Sequence, residues 1–341
     1  MKQTTILLLA ALLVPLVVSA QSGDLKQAIA SRAASGKGFA ADLPLLPAEV
    51  KIIQAIAATE GVEVVLGSKP GFSARGAADT LVSLGVPKDD IASVTVHSKE
   101  REAVAFTVTH DKAGHVLAIT GNGPWLRNST LRSFKALPEL RIIRMDHNGF
   151  VGKDPRIPEF DGSGFDALTD SKLANIKIGL SFSDKGMEQC AKIKTLRSFS
   201  VAHSQATGAG IAFFAGHPGL TSFSISEMGK PSVTEKALGA IAKIPNLTRV
   251  GLGECYVTYA GGFALLAPFK GKLAEINLSM CVAAQADLDK LKADHPGAKI
   301  ITTPVAEIPK RHIGVAMSLA KQVPPELAAP LNAAIEQFRK K

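Results

Sequence analysis

The side chains that could do chemistry in this chain are eight histidines, three cysteines and scattered serines and acids. The sequence contains no G-x-S-x-G nucleophile elbow, no glycine-rich phosphate-binding loop and no H-E-x-x-H pair. Ser204 directly follows His203, but neighbouring residues on a strand face opposite sides and therefore form no catalytic dyad. These patterns predict a protein that is not an enzyme and that uses no cofactor.

Two of the cysteines, Cys255 and Cys281, lie 26 residues apart at equivalent positions of a repeated phrase. We expect both to be small buried hydrophobic groups, because a free thiol behaves as one and can donate weakly to a backbone carbonyl. A disulfide between them is the alternative, although parallel side-chain directions on adjacent strands fit its dihedral angle badly. Cys190 falls within a predicted helix, and the three cysteines match no metal-binding spacing.

The repeated phrase is nine residues long and begins at residues 114, 140, 173, 196, 220, 247 and 273. Its first, fourth and sixth positions are apolar, and its ninth is usually Asn, Ser, Met or Cys. The clear copies are LRIIRMDHN, LRSFSVAHS, LTSFSISEM, LTRVGLGEC and LAEINLSMC; the weaker copies are GHVLAITGN and LANIKIGLS. Each phrase predicts a short strand, and stacking the strands in register predicts a parallel sheet with continuous apolar ladders. The expected ladders are Phe199, Phe223, Val250 and Ile276 at position four, and Val201, Ile225, Leu252 and Leu278 at position six.

Short helical segments follow the strands, for example at 184–193, 234–244 and 286–292, with shorter versions at 209–215 and 259–266. The whole pattern resembles the leucine-rich repeats, whose period is about 20–29 residues. The cysteine at position nine makes it similar to the cysteine-containing and ribonuclease-inhibitor-like branches found in secreted bacterial proteins. The resemblance covers about residues 114–300. It implies an α/β solenoid with parallel strands on a concave face and short helices on a convex face.

A binding function in such a solenoid is expected on the concave face. The variable strand positions there carry small hydroxyls and scattered charges, and the predicted binding residues are Arg141, Arg144, Asp146, Lys177, Ser200, Ser224, Arg249, Glu275 and Asn277. His147 and His203 both stand at position eight, two repeats apart, and each is expected to be an exposed rim residue.

The 149–171 insertion is the second candidate contact region, because insertions in solenoids form loops. It is rich in Gly, Pro and Asp and is expected to be a solvated loop. A calcium site formed by Asp161, Ser163, Asp166 and Asp170 is the alternative, but the full calcium-loop signature is absent. No metal site is predicted.

The domain prediction is a signal peptide at 1–20, a flexible segment at 21–40 and an α/β N-terminal cap with possible degenerate repeats at 41–110. The repeats follow at 111–305 and a helical C-terminal cap at 306–341. In the leader, Lys2 precedes an apolar run, and Val18-Ser19-Ala20 forms a small-residue cleavage site. We therefore expect a secreted or periplasmic bacterial protein, with an uncleaved membrane anchor as the alternative.

The formal net charge is +9, and it falls to +8 when Lys2 is removed with the leader. The basic residues are dispersed, which argues against nucleic acid and favours a protein or an anionic cell-envelope polymer as partner. The sequence thus predicts a secreted, non-catalytic scaffold that binds through its concave face or the 149–171 loop. Two alternatives stay open: a structural subunit of an envelope assembly, and an envelope hydrolase with its site in the N-terminal cap.

Overall fold

The computed structural model describes residues 45–60, 62–65, 76–98, 104–122, 126–146, 160–179, 181–226 and 233–340. The chain divides into two compact units. Unit 1 comprises Met1–Glu159 with Asp170–Asn175, and unit 2 comprises Phe160–Thr169 with Ile176–Lys341. The predicted leader and flexible segment, His147 and the first part of the 149–171 insertion lie outside the described residues.

Unit 1 combines an antiparallel meander with the first parallel strand pair. Its strands are β1 (Val62–Val65), β2 (Ala92–Ser98), β3 (Val104–His110), β4 (Val116–Asn122) and β5 (Ile142–Asp146); its helices are α1 (Pro47–Glu60), α2 (Ala77–Ser83) and α3 (Asn128–Ser133). β1, β2, β3 and β4 pair antiparallel in chain order, whereas β4 and β5 pair parallel. The sheet changes to parallel pairing where the repeat phrases begin.

The pairing of β4 with β5 corrects the predicted register of the first phrase. Ile119 lies opposite Ile143, which occupies position four of its phrase. The copy predicted to start at Gly114 therefore starts at Val116, and the prediction was wrong by two residues. A shift of two leaves every side chain on its predicted face, because strand side chains alternate with a period of two. The apolar pattern of this weak copy could not distinguish the two registers.

Helix α2 covers one face of β4 and β5. Ala77 and Leu81 of the helix form a buried cluster with Leu117, Ala118 and Ile142. Gly76 precedes the helix with φ 77°, and Gly85 follows it with φ 88°. Glycine adopts this left-handed backbone without a steric penalty, so it suits both ends of so short a helix. The consequence is that the side of this strand pair carrying Ala118 and Ile142 is packed against the protein's own chain.

Unit 2 repeats one structural motif. Its strands are β6 (Asn175–Ile178), whose first residue belongs to unit 1, β7 (Ser198–Ala202), β8 (Ser222–Ser226), β9 (Arg249–Gly253), β10 (Glu275–Leu278) and β11 (Lys299–Thr302). Strands β7 to β11 pair parallel with their chain neighbours. The segments between them carry α4 (Asp184–Cys190), α5 (Ala237–Ile241), α6 (Gln285–Asp294) and the 3-10 helices Gly210–Phe214 and Phe263–Phe269.

The predicted position-four ladder is present in unit 2. Phe199 lies opposite Phe223, Phe223 opposite Val250, and Val250 opposite Ile276, and all four side chains are buried. The Phe199 ring also lies 4.7 Å from that of Phe214 in the following 3-10 helix. The inward side chains of the strands and of the helical segments thus pack in one core. Burial of each such side chain contributes roughly 1.5–3 kcal/mol to the free energy of folding, before the loss of chain entropy offsets it. Unit 2 is an α/β leucine-rich-repeat-like solenoid.

The described part of the 149–171 insertion differs from the predicted solvated loop. Residues Ser163–Leu168 form a 3-10 helix, and Phe160, Phe165 and Leu168 are buried. The Phe165 ring packs edge-to-face on Phe182 at 6.2 Å. The prediction was wrong here because the Gly, Pro and Asp content hid three core hydrophobic residues. Asp161, one of the residues of the alternative calcium site, accepts a hydrogen bond at Oδ1 from the backbone N–H of Ser163. Among the described residues there is no cluster of His, Cys, Asp or Glu suited to a metal ion.

Helices at the C-terminus pack on the segments that follow the last strands. They are α7 (Ile308–Arg311), α8 (Ile313–Leu319) and α9 (Pro325–Arg339). Their buried residues, including Ile308, Val315 and Leu331, form one cluster with Met280 and Val282, which lie just after β10. Within the described ranges, no helix has the length and apolar character needed to cross a membrane.

Candidate functional site

The outward strand face of unit 2 is the surface formed by positions three, five and seven of β7 to β11. Small residues dominate its β7 and β8 part. Ser198 lies opposite Ser222, Ser200 opposite Ser224, and Ala202 opposite Ser226. The Ser200 and Ser224 hydroxyls are 2.8 Å apart and form a hydrogen bond across the strands. Two of the predicted binding residues therefore form a direct pair.

On β9, the outward positions five and seven are the glycines Gly251 and Gly253. A Cβ added to Gly251 would lie 2.6 Å from Ser224 Cβ, and one added to Gly253 would lie 2.7 Å from Ser226 Oγ. No real side chain tolerates such distances without movement of its neighbours. Glycine within a strand weakens it and often marks a close approach of another chain or ligand. The surface is consequently low and flat at its centre.

Charged residues form a row along position three. Arg249 lies opposite Glu275, and Glu275 lies opposite Lys299. The order is positive, negative, positive on three neighbouring strands. Arg249 and Lys299 are exposed and Glu275 is half-buried. Such alternation favours the strand pairing and gives this part of the strand face a defined charge pattern. Lys299 extends the predicted set; the regular position-three register would have identified it once β11 was included in the array.

Asn277 at position five turns toward its own strand end. Its Oδ1 accepts hydrogen bonds from the backbone N–H of Ser279 at 2.9 Å and from the Ser279 hydroxyl at 2.6 Å. The amide oxygen is therefore engaged in shaping the exit from β10.

The predicted residues of unit 1 lie in a different environment. The Arg144 guanidinium donates to Thr80 Oγ1 of α2 at 2.7 Å and to Asn175 Oδ1 at 2.9 Å. Arg141 donates to the Leu84 carbonyl at 3.1 Å and lies 3.8 Å from a Glu139 carboxylate oxygen. Both arginines thus hold α2 and its following turn in place. Asp146 is the last residue of β5. Lys177, by contrast, belongs to unit 2 and is a half-buried residue of β6.

The ends of the unit 2 strands carry a cluster that the sequence did not indicate. His203 Nε2 lies 2.6 Å from Glu254 Oε1, and both side chains are almost buried, at 11% and 8% exposure. The His312 ring, at the start of α8, lies edge-on to His203 at 5.9 Å between centroids. The expectation that His203 is an exposed rim residue was wrong, because Glu254 reaches it from two repeats away.

A shared backbone feature explains this contact. His203, Glu254 and Met280 all occupy position eight, and their φ angles are 51°, 63° and 63°. The left-handed conformation costs a non-glycine residue roughly 1–2 kcal/mol. Its recurrence at one repeat position shows that the chain turns away from the sheet in the same way at these three strand ends. The turn places the His203 and Glu254 side chains at the same edge of the sheet.

The cysteines lie within the core, as the first interpretation predicted. All three are free and buried. Cys255 Sγ and Cys281 Sγ are 3.8 Å apart, and the Cys281 thiol donates to the Leu252 carbonyl at 2.9 Å. The contact with Cys281, together with burial, raises the pKa of the Cys255 thiol, and burial alone raises the pKa of Cys190. The thiolate forms of Cys255 and Cys190, which nucleophilic or metal chemistry would need, are therefore disfavoured.

Comparison with known proteins gives a likeness among solved structures but none among family models or curated proteins. No protein-family model matches the chain, and no curated protein matches it. Among solved structures, an internalin C2 from Listeria monocytogenes is similar, with 13% sequence identity and a TM-score of 0.33. That alignment covers 56% of this chain and 74% of the internalin chain. What this chain binds must therefore be inferred from its own surface.

Proposed function

We propose that this protein is a secreted, non-catalytic scaffold that binds another protein through the outward strand face of unit 2. The observation that carries the proposal is the position-three row of Arg249, Glu275 and Lys299 beside a flat floor of serine and glycine. A low floor lets a partner approach the strands closely, while the three charges select its orientation. The leader-like sequence at residues 1–20 supports the proposed export.

The internal packing of unit 1 supports this use of the surface. There α2 lies on Ala118 and Ile142, and Thr80 of the helix contacts Arg144 of the strand. The strand residues Ala118 and Ile142 occupy position three, and Arg144 occupies position five, which are the outward positions also on β7 to β10. In unit 1, outward strand positions thus pack against a helix of the same chain through apolar contacts and an arginine hydrogen bond, which supports the proposal that such positions in unit 2 bind a segment of a partner.

The experiment places a photo-crosslinking amino acid at Ser222 on the strand face, or at exposed Lys243 after α5 as a control, in the exported protein. We expect a protein partner to crosslink at Ser222 only. A matched pair of charge reversals, Arg249→Glu and Lys243→Glu, then tests specificity, because both change the net charge equally. Loss of the partner with the first and retention with the second supports the proposal. Equal capture from both positions, or indifference to Arg249→Glu, contradicts it.

The second candidate function is a structural subunit, and one observation favours it. Phe213 is 49% exposed and Leu265 is 36% exposed, and they belong to the 3-10 helices that follow β7 and β9. Exposed large apolar side chains suit packing into an assembly. Light scattering over a concentration series distinguishes the candidates: a stable oligomer that Phe213→Ser dissociates favours the subunit, and a monomer at all concentrations excludes self-assembly.

A further inference from the structure

The sheet ends at β11, and the outer edge of this strand is unpaired among the described residues. β11 is the last strand in the sheet order and pairs with β10 on its other side. On that side, the Lys299 N–H donates to the Ala274 carbonyl. Because successive peptide groups of a strand point to opposite edges, the N–H groups of Ile300 and Thr302 and the carbonyls of Ala298 and Ile300 point to the outer edge. None of these four groups has a hydrogen-bond partner in the described part of the chain.

The chain that follows β11 turns back over the ends of the preceding strands. Thr303 Oγ1 accepts a hydrogen bond from the backbone N–H of Met280, just after β10, at 3.0 Å. Helices α7 to α9 then pack on Met280 and Val282, and the His312 ring reaches His203 at the end of β7. The C-terminal helices therefore run from β11 back toward β7. They leave the outer edge of β11 open.

The apolar ladder is incomplete at this edge. Ile276 of β10 is fully buried, whereas Ile300, which lies opposite it on β11, is only half-buried. Ile301, on the outward face of the same strand, is also half-buried. A further strand beside β11 would cover both isoleucines and would provide partners for the outer peptide groups. These are the two features that make an open strand edge a site for pairing with another chain.

The sequence around β11 favours a second copy of the same strand as that partner. Pro296 and Pro304 stand four residues before and four residues after Ile300. Proline has no N–H and ends strand pairing, so an added strand is limited to residues 297–303. An antiparallel copy centred on Ile300 places each Pro296 opposite the Pro304 of the other copy. The two edges then match in length and in the positions of their free peptide groups.

Other registers of two antiparallel copies are less favourable. A pair centred on Ile301 uses peptide groups that already bond to β10. A pair centred on Thr302 places Ile300 opposite Pro304, which has no N–H to donate. The register centred on Ile300 is therefore the one that the free N–H and carbonyl groups select.

We propose that two copies of this chain pair through the outer edges of β11, antiparallel and about a twofold axis at Ile300. The Ile300 N–H of each copy donates to the Ile300 carbonyl of the other, and each Thr302 N–H donates to the Ala298 carbonyl of the other copy. Ile300 continues the apolar ladder across the axis. The Lys299 side chain lies beside Ile301 of the other copy, so like charges do not face each other. The dimer leaves the outward strand face accessible and does not depend on the proposed binding function.

The first test compares two substitutions of exposed Thr302 in the full chain. Thr302→Pro removes the outer N–H and keeps the bonds to β10, whereas Thr302→Ala is the matched control that keeps the N–H. Sedimentation equilibrium over a concentration series should show a dimer for the natural chain and for Thr302→Ala. Thr302→Pro should dimerise about tenfold or more weakly, because one hydrogen bond from each copy is lost. Urea unfolding of both variants verifies that they fold.

The second test measures the register by disulfide cross-linking. Ile300→Cys should form a covalent dimer under mild oxidation, since the Cα atoms of a symmetric hydrogen-bonded pair lie about 5.5 Å apart. Thr302→Cys is the control, because the two copies of this residue would lie about 13 Å or more apart along the strands. The three native cysteines are buried and serve as an internal reference.

Four results would overturn the proposal. A chain that is monomeric at every concentration would leave the edge to a strand of another protein. Equal dimerisation of Thr302→Pro and Thr302→Ala would show that the outer N–H is not used. Equal cross-linking of Ile300→Cys and Thr302→Cys would exclude the register. A dimer that Phe213→Ser dissociates and Thr302→Pro does not would place the interface on the helical side of the repeats.

Discussion

His203 and Glu254 are 51 residues apart in sequence, yet His203 Nε2 and Glu254 Oε1 lie 2.6 Å from each other. The contact spans two repeats and lies where the strands end. His312 of the C-terminal helices packs against the same histidine. The pair therefore connects the repeat array with the helical segment that follows it.

Replacing Glu254 tests both this contact and the backbone that positions it. Glu254→Ala should lower the free energy of unfolding by about 2–3 kcal/mol, because a nearly buried hydrogen-bonded pair is lost. Glu254→Gly loses the same contact but relieves the left-handed φ of 63°, so it should be about 1 kcal/mol more stable than the alanine variant. Urea unfolding measures both. Glu188→Ala, in an exposed ion pair with Lys192, is the control and should change stability little. Equal stability of the two Glu254 variants would contradict the backbone argument.

The Gly251–Ser224 contact gives a prediction about the strand face. Gly251→Ala should destabilise the protein by about 1–3 kcal/mol, because the new Cβ meets Ser224 Cβ at 2.6 Å and the core beneath cannot shift easily. Combining it with Ser224→Gly should recover much of the loss, which a double-mutant cycle detects as coupling. Gly297→Ala is the matched control, since nothing lies within 4 Å of its added Cβ. Additive effects in the cycle would show that the two residues do not interfere.

The thiols allow a chemical test of the core. All three cysteines are buried and free, and the pKa of the Cys190 and Cys255 thiols is raised. A thiol reagent should therefore leave the native protein unmodified and titrate three thiols in denaturant without reductant. Modification in native conditions should proceed only as fast as unfolding exposes the core. A titration of one thiol in denaturant would reveal the Cys255–Cys281 disulfide and contradict the free-thiol state.

The repeat phrase was enough to predict strands β7 to β10 and their register, because each copy carries three apolar positions that must face one core. Phe199, Phe223, Val250 and Ile276 align as the phrase predicted. The helical segments were predicted with displaced ends: the 234–244 segment, for instance, is helical only over Ala237–Ile241. The weak copy at β4 was misplaced by two residues, since its alternating pattern fits either register.

The candidate site was less predictable, because the position of a residue within a repeat does not reveal whether a segment from another part of the chain covers that residue. Arg144 and Ser224 share position five, but only Arg144 contacts a helix from outside the repeats, through Thr80. The His203–Glu254 contact depends on the left-handed turn at position eight. In the two phrases concerned this position holds His203 and Glu254, not the glycine or asparagine that would have predicted such a turn. These features depend on tertiary packing, which local pattern cannot encode.

Stability below neutral pH should depend on two buried histidines that share the sequence His-Pro-Gly, His217 and His295. His217 Nδ1 accepts hydrogen bonds from the backbone N–H groups of Gly219 and Leu220, both at 3.2 Å, while Nε2 donates to the Ile193 carbonyl at 3.0 Å. This geometry requires a neutral ring. Burial lowers the pKa of both histidines below the usual value, and Lys194 and Arg197 lower that of His217 further against the opposing effect of the Ile193 carbonyl.

The sign of the pH effect follows from proton counting. With a lowered pKa, the folded protein binds fewer protons than the unfolded chain, so the free energy of unfolding rises with pH. The contribution is complete above the unfolded histidine pKa of about 6.5 and is lost as pH falls from there toward the folded pKa. The variant His217→Gln/His295→Gln has no titrating group at either position. It should be less stable at pH 8 but lose less stability between pH 7 and pH 5, as measured by urea unfolding at each pH. An unchanged slope would show that other groups govern the acid response, because only these two rings have been removed from the titration.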